Sequence, residues 1–205
     1  MSTSLKLNAL FTRIAMLAAI ALPALAAAPQ AKADDSILFK MVRSNGLPAG
    51  CVPNADAYVR VQTLGFAERM TIIARGLPPN TGFDAFALQV PNFPFGLSWY
   101  IGDLETDARG IAVKTFISRF SKETFAVAVG TAKAPRPDQK DAETNPVFKP
   151  IHTFHLGIWF NAPADAGKAG CPNIVTPFNG EHHAGPQVLN TRTFSDEVGP
   201  LRHIQ

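Results

Sequence analysis

The stretch Ala57–Thr63, AYVRVQT, alternates strictly, with Val59, Val61 and Thr63 on one side of an extended chain and Tyr58, Arg60 and Gln62 on the other. Successive side chains of a strand point to opposite faces, so this is a strand with one face towards a core and one towards solvent. RMTIIAR (69–75) repeats the pattern, and Pro78 and Pro79 in GLPPNTG (76–82) end it, because proline cannot donate to a ladder. FDAFALQV (83–90) and LSWYIGDLET (97–106) come next, separated by PNFPFG (91–96). TDARG (106–110) predicts a hairpin turn, with Gly110 free to take a positive φ, leading into IAVKTFIS (111–118) and then TFAVAV (124–129). Strand-sized runs between tight turns, with no helix of three turns demanded, predict an all-β fold, an antiparallel β-sandwich.

GTAKAPRPDQKDAETNP (130–146) is rich in proline and charge and poor in large apolar residues, which predicts a long mobile loop around residues 130–150. IHTFHLGIWF (151–160) reads as the most hydrophobic strand of the second half. APADAGKAG (162–170) predicts a short helix, with Pro163 at its first position, Asp165 in its first turn and Gly170 at its end.

At the N-terminus, Lys6 and Arg13 precede an apolar run from Ile14 to Ala28, and Ala31-Lys32-Ala33 follows it. That order is the pattern of a secretory signal peptide, residues 1–33, cut after Ala33. The expected mature chain is then a single soluble domain over 34–205, secreted or periplasmic, with no membrane span. Residues 1–33 hold three bases and no acid, so the 19 Lys and Arg of the whole chain fall to 16, against 16 Asp and Glu. A neutral chain lacks the basic footprint that phosphate neutralisation requires, which argues against nucleic acid. Cys51 and Cys171 are the only cysteines, and in an exported protein an isolated pair is expected as a disulfide.

ERMTIIARGLPPNTGFDAFAL (68–88) followed by YIGDLETDARGIAVKTF (100–116) resembles the strand-GLPPNT-strand and TDxxG-hairpin pattern of immunoglobulin-like modules in uncharacterised exported bacterial proteins, over residues 58–118. The resemblance implies an immunoglobulin-like β-sandwich, here with a C-terminal irregular extension. It implies no catalytic residue, because those modules share no catalytic motif and fold does not transfer activity.

Chemistry is sparse. Glu181, His182 and His183, in TPFNGEHHAGPQVLNT (176–191), are the best metal or acid/base candidates, since a loop can converge oxygen and nitrogen ligands; His152, His155 and Asp196 are the distant further ligands. On a strand His152 and His155 would point to opposite faces. The alternative is a structural loop whose Asn179, Glu181 and His182 satisfy the backbone. Asp103, Glu105 and Asp107 share one strand face, yet they lack the spacing of a calcium loop. No Gly-x-Ser-x-Gly elbow and no glycine-rich phosphate loop exists. Phe93, Phe95, Trp99 and Tyr100 concentrate rings in one loop, which is a binding patch if exposed and core if not. The expectation is therefore an exported, non-catalytic binding or envelope-associated module without a cofactor, its partner a protein or a glycan. A hydrolase centred on Glu181, His182 and His183 is the rival, and a carbohydrate-binding module the third reading.

Overall fold

A computed structural model describes residues 36–126, 150–176 and 183–204. Residues 1–33, expected as a signal peptide, the loop at 130–146, Glu181 and His182 lie outside the described residues. The elements are β1 (Ser36–Arg43), β2 (Asp56–Thr63), β3 (Glu68–Arg75), β4 (Gly82–Leu88), β5 (Ser98–Glu105), β6 (Ala112–Ser118), β7 (Phe125–Ala126), β8 (Ile151–His152), β9 (His155–Phe160), α1 (Pro163–Lys168), β10 (Gln187–Asn190) and a 3-10 turn at Pro200–His203. The fold is all-β, as the alternation of polar and apolar residues requires. Val59 and Val61 are fully buried while Tyr58 and Arg60 face out.

Eight strands join in one antiparallel sheet, in the order β5-β4-β9-β10-β1-β2-β3-β6. The sheet folds over on itself, so its two halves face each other across the core as the layers of a sandwich do. Met41, Val61, Ile72, Phe83, Leu104, Ile158 and Leu189 fill that core. The edges β5 and β6 meet at a seam sealed by side chains. Gly102 in β5 lies against the Phe116 ring of β6, so closely that a Cβ there would sit 2.6 Å from it.

Three features correct the sequence expectations. Thr106–Gly110 does form a tight turn, with the Asp107 N–H bonded to the Ile111 carbonyl and Gly110 at φ 73°. The strands it joins, however, stand at opposite edges of the sheet, so it arches over the seam and closes no ladder hairpin. It packs beside the proline loop, where the Leu77 N–H donates to the Gly110 carbonyl. Second, IHTFHLGIWF is not one strand. It breaks at Thr153–Phe154, leaving β8 in a two-stranded sheet with β7 and β9 in the main sheet. Third, β1 and β10 are strands that no expectation covered. β10 arises inside the C-terminal stretch expected to be irregular and sits near the middle of the sheet.

Cys51 and Cys171 form a disulfide between the β1–β2 connection and the end of α1. Arg43 braces the first of these, donating to the carbonyls of Leu47 and Cys51. The helix forms where Pro163 and Asp165 placed it, with Lys168 bonded to Asp165 at 2.9 Å and Gly170 at φ 72° beyond its end.

Candidate functional site

On β4 and β9 both faces are buried. Phe83, Ala85, Ala87, Leu156, Ile158 and Phe160 point into the main core, whereas Phe86, Leu88 and Trp159 form a second cluster on the outer face. Gly157 makes this cluster possible, because the Trp159 ring lies where its Cβ would be, 2.3 Å away. Gln89–Leu97 folds over the cluster as a lid-like loop, closed by hydrogen bonds from Gln89 N to Leu97 O and from Val90 N to Phe95 O.

Buried amides fasten that loop to the sheet. Gln187 and Asn190 of β10 each donate to the Pro91 carbonyl at 3.1 Å, and Asn190 also donates to the Gln187 Oε1 at 2.8 Å. The Ser44 hydroxyl donates to the same Oε1. Phe95 and Gly96 both take positive φ, 64° and 66°, so the loop turns sharply there.

The result is a continuous ladder of five rings. Tyr100 meets Phe86 at 5.6 Å, Phe86 meets Trp159 at 5.5 Å, Trp159 meets Phe95 at 5.1 Å, and Phe95 meets Phe93 at 5.8 Å. Its middle is buried and its ends are open, with Phe93 85% and Tyr100 51% exposed. Tyr100 is further oriented by donating its hydroxyl to Asp103 at 2.5 Å. Clefts of about 500 and 530 Å³ flank the loop and share Phe93, Phe95 and Thr176 as walls. Asn45, Asn92 and Ser44 add polar groups to the first, and Ser98 to the second.

Of the four candidate rings, Phe93, Phe95 and Tyr100 thus belong to one surface feature. Trp99 borders the second cleft, but its ring turns inward to stack on Phe120, and its indole donates to the Thr153 hydroxyl at 3.0 Å. Adjacent strand residues point to opposite faces, and a bulge sets which of the two turns inward. Ala85 pairs with Gly102 and Phe86 with Tyr100, so Ile101 is an extra residue and the inward-outward alternation of β5 resets there. Trp159 went unmatched to this ladder in the sequence, because one hydrophobic strand gives no sign that both its faces are covered.

Of the metal candidates, His152, His155, His183 and Asp196 are described, and no three of them converge. His155 is fully buried in β9; its Nε2–H donates to the carbonyls of Ser195 and Asp196, and its Nδ1 accepts from the Thr191 hydroxyl at 2.9 Å. Burial holds its pKa below the ordinary histidine value, against the pull of those carbonyls. With both ring nitrogens engaged, it is a structural residue. His152 lies in the other sheet, stacked on Phe154 at 4.7 Å, and His183 is exposed. Asp107 spends its carboxylate on the turn, accepting from the N–H groups of Ile111 and Arg109 and from the Arg109 guanidinium. Those backbone bonds, Ile111 first, lower its pKa. Among the described residues no three His, Cys, Asp or Glu side chains converge as metal ligands would. A third cleft, about 880 Å³, is the more charged one, with Lys122, His152, Asp196, Glu197 and Arg202 on its walls.

Comparison with protein-family models and with curated proteins returns no match. No helix among the described residues is long and apolar enough to cross a membrane.

Proposed function

We propose that this chain is an exported, non-catalytic binding module of the cell envelope or its exterior, and that the ring ladder between Tyr100 and Phe93 takes a neutral glycan. The observation that carries the reading is the chemistry of the two clefts beside Phe93. Their described walls are aromatic rings, aliphatic groups, amides and hydroxyls, without one carboxylate, amine, guanidinium or imidazole. Exposed ring faces beside amide and hydroxyl groups suit a sugar, whose C–H face stacks while its hydroxyls hydrogen-bond. The same described walls bring together no histidine, cysteine, lysine or carboxylate, which favours retention over turnover. The immunoglobulin-like resemblance, which implies no catalytic residue, agrees with this reading.

The rival, acid/base chemistry at Glu181, His182 and His183, differs in what it does to a glycan. Native gels containing xylan, dextran or a mixed-linkage β-glucan separate the two. The module should be retarded in at least one gel, Phe93→Ala and Tyr100→Ala should each run faster there, and the polymer should stay intact. Equal mobility in every gel, or unchanged retardation of both variants, overturns the glycan reading. Release of reducing ends that His183→Ala abolishes would replace it with the rival.

A further inference from the structure

The outward face of β1, β2, β3 and β6 lies on the opposite half of the sheet from β4 and β5. Its residues are fixed by register. One row runs Leu38, Arg60, Thr71, Thr115, each beside the next, and in the next row Gln62 stands beside Arg69, which stands beside Ile117. Leu38 is 70% and Ile117 58% exposed, an unusual position for aliphatic side chains on two separate strands of one face.

The β2–β3 hairpin extends that face with an apolar tip. Leu64 and Ala67 close a two-residue loop, the Leu64 N–H bonded to the Ala67 carbonyl at 2.7 Å. Gly65 supplies the φ of 89° that such a loop needs at its first central position. The next residue, Phe66, projects with 86% of its surface in solvent. Arg119 grips the Phe66 carbonyl and pairs with Glu123, so it fixes the tip and adds no net charge.

Charge on the face is one-sided. Its outward positions carry Lys40, Arg60, Arg69 and Arg75 against a single carboxylate, Asp56, which lies at the far end from Phe66. The chain from 34 to 205 is neutral in sum, so this excess is a local concentration of positive charge.

We propose that this face docks on an anionic lipid surface, with Phe66 inserted among the acyl chains and Arg60 and Arg69 on the headgroups. The aliphatic character of Leu38, Leu64 and Ile117 favours lipid over other polyanions. Such side chains gain by entering hydrocarbon, which a soluble polyanion does not offer. Cations beside an apolar insertion add attraction to acidic headgroups and make it salt-dependent. The proposal stands apart from the glycan reading, since it uses none of the residues of the ring ladder.

Protein isolated from its own compartment, with the N-terminus it carries there, is to be sedimented with vesicles of phosphatidylcholine and with vesicles of equal parts phosphatidylcholine and phosphatidylglycerol. Wild type should sediment with the mixed vesicles, little with the neutral ones, and less as salt is raised. Phe66→Ser should lower partitioning about tenfold, the order expected for removing one buried aromatic side chain. Arg60→Glu with Arg69→Glu should remove the preference for the acidic lipid. All three side chains are exposed, so unchanged melting temperatures will verify the fold of both variants, and a shared N-terminus assigns any difference to the face. Equal sedimentation with the two vesicle types, or variants that sediment like wild type, overturns the proposal. So does wild type that ignores vesicles while binding a soluble acidic polysaccharide, or that self-associates through Phe66 instead.

Discussion

The Trp99 and Phe120 rings stack across the seam between β5 and the end of β6, with centroids 5.9 Å apart and planes 13° from parallel. No ladder joins these two edges, so side chains alone hold the sheet closed here. Phe120 is itself placed by its backbone, whose N–H donates to the buried Glu68 carboxylate at 2.6 Å. Trp99→Ala should therefore destabilise by about 3 kcal/mol, the lower end for losing a large aromatic from a core. Trp99→Phe keeps the stack and loses the bond to Thr153, and should cost about 1 kcal/mol. Urea unfolding of the three proteins measures both steps. Equal midpoints for wild type and the alanine variant would show that the seam is held elsewhere.

Asn190 touches neither cleft, yet it should matter to binding. Asn190→Ala removes the donor to Pro91 and leaves the Arg192 N–H without its Oδ1 acceptor, at a cost of about 1–3 kcal/mol. It also loosens the loop that presents Phe93, so glycan retardation should weaken together with stability. Phe93→Ala should do the reverse, abolishing retardation with a stability change within about 0.5 kcal/mol. Native-gel mobility and thermal unfolding, run on both variants, distinguish the two patterns.

The disulfide closes a sequence separation of 120 residues. In the chain-entropy account its loss should cost up to about 5 kcal/mol. Denaturant midpoints with and without a thiol reductant, and for Cys51→Ser paired with Cys171→Ser, test this directly. A midpoint unmoved by reduction would contradict the role assigned to the bridge.

His155 gives stability a pH dependence of known sign. Its folded pKa is depressed, with burial the main cause, while the unfolded ring titrates near the ordinary value of about 6.5. Between those two values the unfolded chain binds the proton and the folded one does not, so stability falls as pH drops below about 6.5. His155→Gln, which cannot titrate, should flatten that slope while lowering stability at pH 8. Melting temperatures from pH 8 to pH 5 supply the comparison. Asp56 acts in a lower window. The Arg75 hydrogen bond, opposed by some burial and joined by Lys40, lowers its pKa to about 2. Its contribution is therefore complete above about pH 4 and fades only as pH falls towards 2.

Alternation located β2 and β3, because each has one buried and one open face, and that contrast is written in the residue types. It fell short wherever both faces are covered. β4 and β9 are covered on both faces, and nothing local in FDAFAL or HLGIWF tells that Phe86 and Trp159 serve a cluster separate from Phe83 and Ile158. The bulge at Ile101 was equally silent, although it decides that Tyr100 joins the ring ladder and Trp99 the seam. β1 carried a readable signal, since Leu38 and Lys40 alternate with Phe39 and Met41. β10 did not, because four residues hold too little pattern. The concentration of rings in PNFPFGLSWY pointed to the loop that carries Phe93 and Phe95. The amides that fix it lie about a hundred residues away, at Gln187 and Asn190, beyond the reach of any local motif.

The position of β9 and β10 between β4 and β1 has a consequence for how the chain becomes a protein. A ribosome or a translocation channel delivers the early strands first, and until residue 190 has emerged β4 and β1 each present a bare edge with no ladder partner. Pairing across so long an interval is slow, and exposed edges invite association with other chains. The order of synthesis therefore runs against the order of assembly: the last strands delivered are the ones that join the two halves of the sheet. A chain cut short before His155 would be left with two open templates and no way to close them.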